Sequence, residues 1–339
     1  MNNFQKYTSF PSIKIWGEHG SNPLLVTIVI PTYKHYKYLE ETIRSAIDQD
    51  FNQCYEIVII DDNEKDDKNL EIIKRINDSK VIYYQNTKRL GLFGNWNRCI
   101  ETARSKYIVF LHDDDKLLPN NLHVLFEIHK QTGDKLNNEK IAVFSNVNFI
   151  NSQSELIRGI LTGAMLRKKK FGILHKKPYI QLTAYDMFLY PQTTGMGCLF
   201  NRECMLQLGG YNEDDYPCSD YSYTFQYLVK YGAVKSMLPI ALCRISDNTS
   251  NNCWRKFAEY NMKIRMRYLS SVPLPTPILR IISDALYEQK VYLDKILWNN
   301  ETGIRKISNR SRIILWLANL PVRIRKFTLK SHSFWYENI

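Results

Sequence analysis

The chain has 339 residues, of which 44% are hydrophobic and 24% charged, a balance that excludes disorder as its main state. Its net charge is +12, yet residues 254–339 hold 16 Lys and Arg against 6 Asp and Glu, which leaves only +2 for residues 1–253. The seven cysteines include no C-x-x-C pair, which excludes a disulfide framework or a zinc site of common spacing and fits a reducing, cytoplasmic setting.

In chain order, LLVTIVI (Leu24–Ile30) predicts a strand that ends at Pro31-Thr32. Leu39, Ile43, Ala46 and Ile47 then share one helical face. EIVII (Glu56–Ile60) is a short apolar run, typical of a strand buried on both faces, and it stops at Asp61-Asp62-Asn63. A helix over 68–76, a strand over 81–84, a helix start near Gly91–Asn97 and a strand over 107–111 follow. The last strand runs into His112-Asp113-Asp114-Asp115, and a helix begins near Pro119. This alternation predicts an α/β fold with a parallel, doubly wound sheet, which binds ligands beyond the carboxyl ends of its strands. From about Ile141 the pattern turns to mixed strands and loops, with a basic segment Arg167–Lys170. A helix is expected over 220–231 and a strand over 234–245, then helices broken by Pro273, Pro275, Pro277 and Pro321.

Both acidic clusters fall at strand ends. Three adjacent carboxylates repel one another, so a fold that gathers them either exposes them as a solvated turn or supplies a cation. Hard oxygen ligands suit Mg²⁺ or Mn²⁺ shared with a phosphate. Asp61-Asp62 reads equally as a turn signal or as an acceptor for a base or ribose.

VTIVIPTYKHYKYLEETIRSAIDQDF, EIVIIDDNEKDD and NTKRLGLFGNWNRCIETARSKYIVFLHDDDKLLPNNL, in this order and spacing, resemble the nucleotide-sugar-binding half of glycosyltransferase family 2 over 26–146, and more weakly to about 252. The resemblance implies a GT-A fold: a Rossmann-like, mostly parallel sheet flanked by helices, here with a C-terminal helical extension. It implies a catalytic domain over 1–253, with 24–150 binding the nucleotide-sugar and 151–253 the acceptor, followed by a basic helical region over 254–339. It also implies inverting transfer from a UDP-sugar. By the same resemblance Pro31, Thr32 and Tyr33 border the nucleoside and Asp62 contacts the base. Asp113 lies near the ribose or sugar, Asp114 ligates the metal, and Asp115 stands beside it. Asn97 falls at the donor edge, where many members read Arg-Asn and this chain reads Trp96-Asn97. His112 stands where the family often has Asp.

Inverting transfer needs a carboxylate that takes the acceptor hydroxyl's proton as it attacks, an effect worth about 10²–10⁴ in rate. In the family this is the Asp of a Glu-Asp pair opening a helix. Ser219-Asp220 matches it after Gly209-Gly210-Tyr211, which makes Asp220 the expected base, with Asp214 and Asp215 as fallbacks. Asp220 also suits the first turn of a helix on dipole grounds alone. Arg244 matches a family arginine that helps hold the diphosphate, and Ser246 takes the place of a histidine. Thr193-Thr194-Gly195 reads as an acceptor-facing loop or a plain turn.

The basic region interleaves cations with apolar residues, as in the segment around Trp316 with Arg310, Arg312 and Arg323. Such helices lie in a membrane interface, or pack on the catalytic domain with a solvated basic face, or meet a second copy in a homo-oligomer. No stretch has the roughly 18 apolar residues of a membrane span. The expectation is a cytoplasmic protein held peripherally at the inner face of the membrane, acting on a saccharide or lipid-linked saccharide in surface polysaccharide (O-antigen or capsule) assembly. The rivals are a nucleic-acid-binding protein, weakened by charge confined to the tail, a nucleotidylyltransferase, whose Gly-rich loop is missing, and an inactive carbohydrate-binding relative.

Overall fold

The computed structural model describes residues 2–63, 67–157, 178–192, 195–245, 249–299 and 307–323. The segment Arg167–Lys170, the pair Thr193-Thr194, Ser246 and residues 324–339 lie outside them. Among the described residues ten strands form one sheet. In chain order the elements are β1 (Ser12–Trp16), β2 (Val26–Thr32), α1 (Tyr36–Ile47), β3 (Tyr55–Asp61), α2 (Lys68–Ile76), β4 (Val81–Asn86), α3 (Leu92–Thr102), β5 (Tyr107–Phe110), β6 (Lys116–Leu117) and α4 (Asn121–Leu136). They continue with β7 (Ala142–Ile150), β8 (Tyr179–Gln181), α5 (Ala184–Leu189), β9 (Leu199–Asn201), α6 (Arg202–Gln207), α7 (Ser219–Tyr231), β10 (Ala233–Arg244), α8 (Thr249–Arg267), α9 (Thr276–Asn299) and α10 (Asn309–Ala318).

The strand order is β1-β4-β3-β2-β5-β9-β7-β10-β6, with β8 beside β10. β4, β3, β2 and β5 run parallel, and β9 then pairs antiparallel with both β5 and β7. After β2 the chain builds outward through β3 and β4, then returns by α3 to β5 on the other side of β2. The β2–β5 boundary is therefore the point where the winding reverses, the place such sheets leave a crevice.

Apolar alternation assigns the two faces. Val26, Ile28 and Ile30 pack with α1, α2 and α4, as do Ile57 and Ile59. Val29, Val58 and Ile60 face the opposite layer, which holds Phe93, Trp96 and Ile100 of α3. That second layer is continuous with Ile264 of α8, Leu279, Ile282 and Leu286 of α9, and Leu315 and Ala318 of α10. The C-terminal helices thus share the core of the sheet rather than forming a core of their own. Arg265, 2% exposed, donates to the Phe188 carbonyl, and Tyr185 donates to the Ala318 carbonyl. β1 was not legible beforehand; it joins β4 as an antiparallel edge ahead of the main sheet.

Candidate active site

Strand tips and their loops build the site. β3, β2 and β5 are neighbours, so Asp62 and Asp113, one past β3 and three past β5, leave the same sheet edge about two strand spacings, roughly 10 Å, apart. Asp62 is buried, and its oxygens accept from the backbone N–H groups of Leu90 (2.7 Å) and Gly91 (2.9 Å) and from Asn86 Nδ2 (2.9 Å). Burial raises its pKa against the pull of these donors. Gly91 opens α3 with φ of 79°, a conformation that suits glycine, and so turns its N–H onto the carboxylate. Asn95 bridges the same strand ends, accepting from Asn86 and donating to the Ile60 carbonyl at 3.0 Å. The resemblance implied a base-contacting Asp62; the structure shows a carboxylate already engaged in shaping the 86–91 loop.

Pro31 and Thr32 end β2, fully buried, and Tyr33 is exposed beyond them. The Arg89 guanidinium lies 4.2 Å from the centre of the Tyr33 ring. Nearby, Thr32 Oγ1 and Asn63 Nδ2 are buried with no hydrogen-bond partner among the described residues. Two orphaned polar atoms at adjacent strand ends, beside a stacked aromatic, suit a polar planar ligand. Neither Arg89 nor Asn86 was singled out in the sequence. A basic residue just before Leu90-Gly91, and an Asn ending a buried apolar run, were the available signals.

The acidic loop divides its three carboxylates. Asp113 Oδ1 is 3.1 Å from His35 Nδ1. Asp115 is buried, accepting from the Arg244 N–H at 2.7 Å through Oδ1 and lying 3.3 Å from His112 Nδ1 through Oδ2. Asp114 has no donor to its side chain among the described residues; desolvation, with repulsion from Asp115 and Asp113, pushes it up to about 7. Such a carboxylate fits a hard divalent cation, which offsets both effects. Among the described residues no three His, Cys, Asp or Glu side chains gather to hold an ion, so ligand oxygens have to complete any such site. Asp115, expected beside the metal, is engaged with β10 and His112.

Arg244 and Asn97 are both engaged by partners far away in sequence. The Arg244 side chain is fully buried. It donates to the Asp114 carbonyl (2.7 Å), the Asn151 carbonyl and Ser154 Oγ (both 2.9 Å) and Glu41 (2.8 Å), and lies 4.0 Å from the Tyr38 ring centre. It braces the acidic loop from behind. Asn97, also buried, closes a two-way pair with the Tyr211 backbone, accepting from its N–H at 2.7 Å and donating to its carbonyl at 2.9 Å. It fastens α3 to the Gly209-Gly210-Tyr211 turn. A Cβ on Gly210 would come within 2.6 Å of Asn97 Oδ1, so the close pairing requires glycine there.

Asp220 lies in the first turn of α7, where Asp suits the helix dipole. Burial pushes its carboxyl up to about 6, opposed by backbone hydrogen bonds and by the field of His112. His112 stacks on Trp96 (ring centres 4.9 Å apart, 24° between planes), and Trp96 meets Tyr211 edge-on at 5.1 Å. Burial pulls the His112 pKa down, but contact with Asp115 and the field of all three carboxylates raise it on balance. Asp214 is exposed, and Asp215 forms a two-pronged pair with Arg267 at 2.6 and 2.7 Å. Both fallback candidates are therefore less suited than Asp220 to take a proton from a bound substrate. Of the expected acceptor-loop triplet only Gly195 is described; it is buried, with φ of 80°.

The glycosyl transferase family 2 model matches residues 27–205. An uncharacterised glycosyltransferase of Methanocaldococcus jannaschii is 33% identical over 138 residues, covering 40% of this chain and 45% of the relative. The UDP-Glc:alpha-D-GlcNAc-diphosphoundecaprenol beta-1,3-glucosyltransferase of Escherichia coli is 30% identical over 150 residues, covering 42% and 56%. The chain thus spans about half the length of these curated relatives. S. aureus TarS 1-349 in complex with UDP-GlcNAc superposes with a TM-score of 0.56 at 14% identity, covering 89% of this chain and 81% of that one, a likeness of fold.

Proposed function

Since the chain belongs to glycosyl transferase family 2, we propose that it moves a sugar from a UDP-sugar to a saccharide acceptor by single displacement with inversion. The observation that carries this reading is that His112, just past β5, acts both on Asp114, a carboxylate short of donors, and on Asp220, a half-buried carboxylate raised to about 6 at the start of α7. The uracil lies against Tyr33 and Arg89, over the orphaned Thr32 and Asn63 groups. Asp62 acts at one remove, holding the 86–91 loop that carries Arg89. Asp114 is the residue that would hold Mn²⁺ or Mg²⁺, and such a cation would supply charge neutralisation for the departing diphosphate. Arg244, through Glu41 and the Asp114 carbonyl, keeps that carboxylate in place. Asp220 takes the proton of the attacking hydroxyl; a base raised to about 6 is ionised at neutral pH yet a better proton acceptor than an ordinary carboxylate.

A lipid-linked acceptor is favoured by two observations. The Escherichia coli relative is named for a diphosphoundecaprenol acceptor. On α10, Ile313, Trp316 and Leu317 are 52–60% exposed along one stripe, opposite the buried Ser311, Leu315 and Ala318, with Arg310 and Arg312 exposed beside them. A stripe of this kind dips into a lipid interface with its cations on anionic headgroups. Among the described residues no helix is long and apolar enough to cross a membrane. Surface polysaccharide assembly at the inner face of the membrane is the setting we propose.

The test is a panel of nucleotide sugars incubated with the protein and Mn²⁺, with release of free nucleotide followed by chromatography. Hydrolysis or transfer selective for UDP-sugars is expected. Equal turnover of GDP-, CMP- and UDP-sugars, or none of any, overturns the donor assignment.

A further inference from the structure

A cavity lies beside the start of α7, with walls from the N-terminal turn at Asn3, from α7 itself and from Arg267 at the end of α8. All of its lining residues fall outside 27–205, the span that the family model matches, so it is separate from the nucleotide-binding half. Asn3 closes one side, donating to the Gly209 carbonyl at 3.0 Å. Ser219, Ser222, Tyr223 and Gln226 reach the cavity at i, i+3, i+4 and i+7, one face of α7. Asp220 follows Ser219 and is turned about 100° round the helix, so the cavity adjoins the proposed base without containing it.

The lining is polar but carries no net charge. Arg267 grips Asp215 with both prongs and donates to Ser222 Oγ at 2.9 Å, and these are the two charged residues that line the cavity. Paired with each other, they leave no cation to attract a phosphate. The groups left open are neutral. Ser219 Oγ is enclosed with no partner among the described residues, and the half-buried Gln226 amide makes no hydrogen bond to them. Asn212 Oδ1 accepts from the Asp214 N–H at 3.1 Å, which leaves Nδ2 as a donor. Tyr223 and Tyr268 add aromatic wall. Amides and a hydroxyl beside aromatic rings match an uncharged ligand that bears several hydroxyls. The volume of about 230 Å³ is below the roughly 300 Å³ at which sites for drug-sized molecules begin, room for one sugar ring rather than a nucleotide. We propose that this cavity is a saccharide site, distinct from the donor crevice, that holds one uncharged hexose unit. Its role rests on the transfer reading: the unit belongs to the acceptor and lies away from the hydroxyl that reacts. Seating it on the helix that carries Asp220 uses binding at a non-reacting sugar to present the reacting one to the base.

Saturation-transfer NMR tests the site with the methyl α- and β-glycosides of glucose, galactose, N-acetylglucosamine and N-acetylgalactosamine. Mg²⁺ and UDP are present at saturation, so that the donor crevice is filled. At least one glycoside is expected to bind alongside UDP. Gln226→Leu, which removes the amide at nearly the same size, should weaken that binding about tenfold, and Ser219→Ala should weaken it less. Neither group has a partner to lose, so both variants should fold as the wild type does. In transfer to the bound glycoside, Gln226→Leu should raise KM about tenfold and leave kcat within about threefold. Failure of every glycoside to bind, its displacement by UDP, or full binding by both variants overturns the saccharide site. A lowered kcat at unchanged KM removes the acceptor role. Glycoside binding that Gln226→Leu weakens, in a wild type that binds no UDP, upholds the site and overturns the UDP-sugar reading instead.

Discussion

Replacing Asp220 with asparagine removes a charge that the fold holds against the cost of burial. The carboxyl is pushed from its ordinary 3.8 to about 6 by desolvation, with the Tyr221 N–H and the field of His112 offsetting part of the effect. At about 1.4 kcal/mol per pH unit, that gap destabilises the ionised native state by about 3 kcal/mol at neutral pH. The sign follows from linkage. A raised folded-state value means the native protein binds the proton more tightly, so the stabilising effect of protonation is complete below pH 3.8 and is lost as pH rises through about 6. Asparagine carries no charge at any of these values, but accepts the backbone hydrogen bonds less well than a carboxylate does. The net expectation is that Asp220→Asn is about 1–3 kcal/mol more stable than wild type at pH 7.5, with the advantage shrinking towards pH 4. Urea unfolding followed by tryptophan fluorescence at pH 4, 5, 6 and 7.5 measures it. The same variant should lose sugar transfer while UDP affinity stays within about threefold, because only the proton acceptor has gone. An Asp220→Asn protein that is less stable than wild type across the whole range, or that still transfers sugar at the wild-type rate, refutes the reasoning.

The remaining predictions touch other parts of the site. The kcat of the wild type should fall on the acid side with a midpoint near pH 6 as Asp220 is protonated, read from initial rates between pH 5 and 8 at saturating donor. Asp62→Ala leaves the N–H groups of Leu90 and Gly91 and the Asn86 amide without their acceptor, and should cost about 3 kcal/mol in urea unfolding as well as weakening UDP binding. Arg244→Met removes the brace between Glu41 and the acidic loop; about 3 kcal/mol of stability should go, with weaker Mn²⁺ binding seen in the same preparation. The double change Ile313→Ser and Trp316→Ser should weaken co-sedimentation with anionic vesicles by about tenfold and leave hydrolysis of soluble donor unchanged.

The nucleotide-binding half of the fold was legible because its signals are local. Runs such as EIVII mark doubly buried strands by composition alone, and the helix expected over 68–76 is α2 with the same bounds. β1, β6 and β8 were not legible. Each has five residues or fewer and exists by pairing with a strand far away in sequence, as β6 does with β10 across about 125 residues. The site divides in the same way. Asp114 and Asp220 stand out because the chemistry of a strand tip or a helix start needs a residue of that type at that place. The bracing of Arg244 was not legible because its partners Glu41, Asn151 and Ser154 are 203, 93 and 90 residues away, so nothing near it in sequence tells a braced, buried guanidinium from an open one. The pairing of Asn97 was not legible for the same reason, with its partner Tyr211 114 residues on. The unpartnered, enclosed nitrogen of His112 is legible only in three dimensions, beside a Trp96 stack and an Asp115 contact.

Mn²⁺ titration followed by electron paramagnetic resonance, with and without UDP, tests the central claim most directly. Wild type and Asp220→Asn should bind one Mn²⁺ per chain with UDP present, far more tightly than without it, whereas Asp114→Asn should bind it at least about tenfold more weakly. Equal Mn²⁺ binding by Asp114→Asn and wild type would place the cation, and the diphosphate it bridges, somewhere other than the β2–β5 crevice.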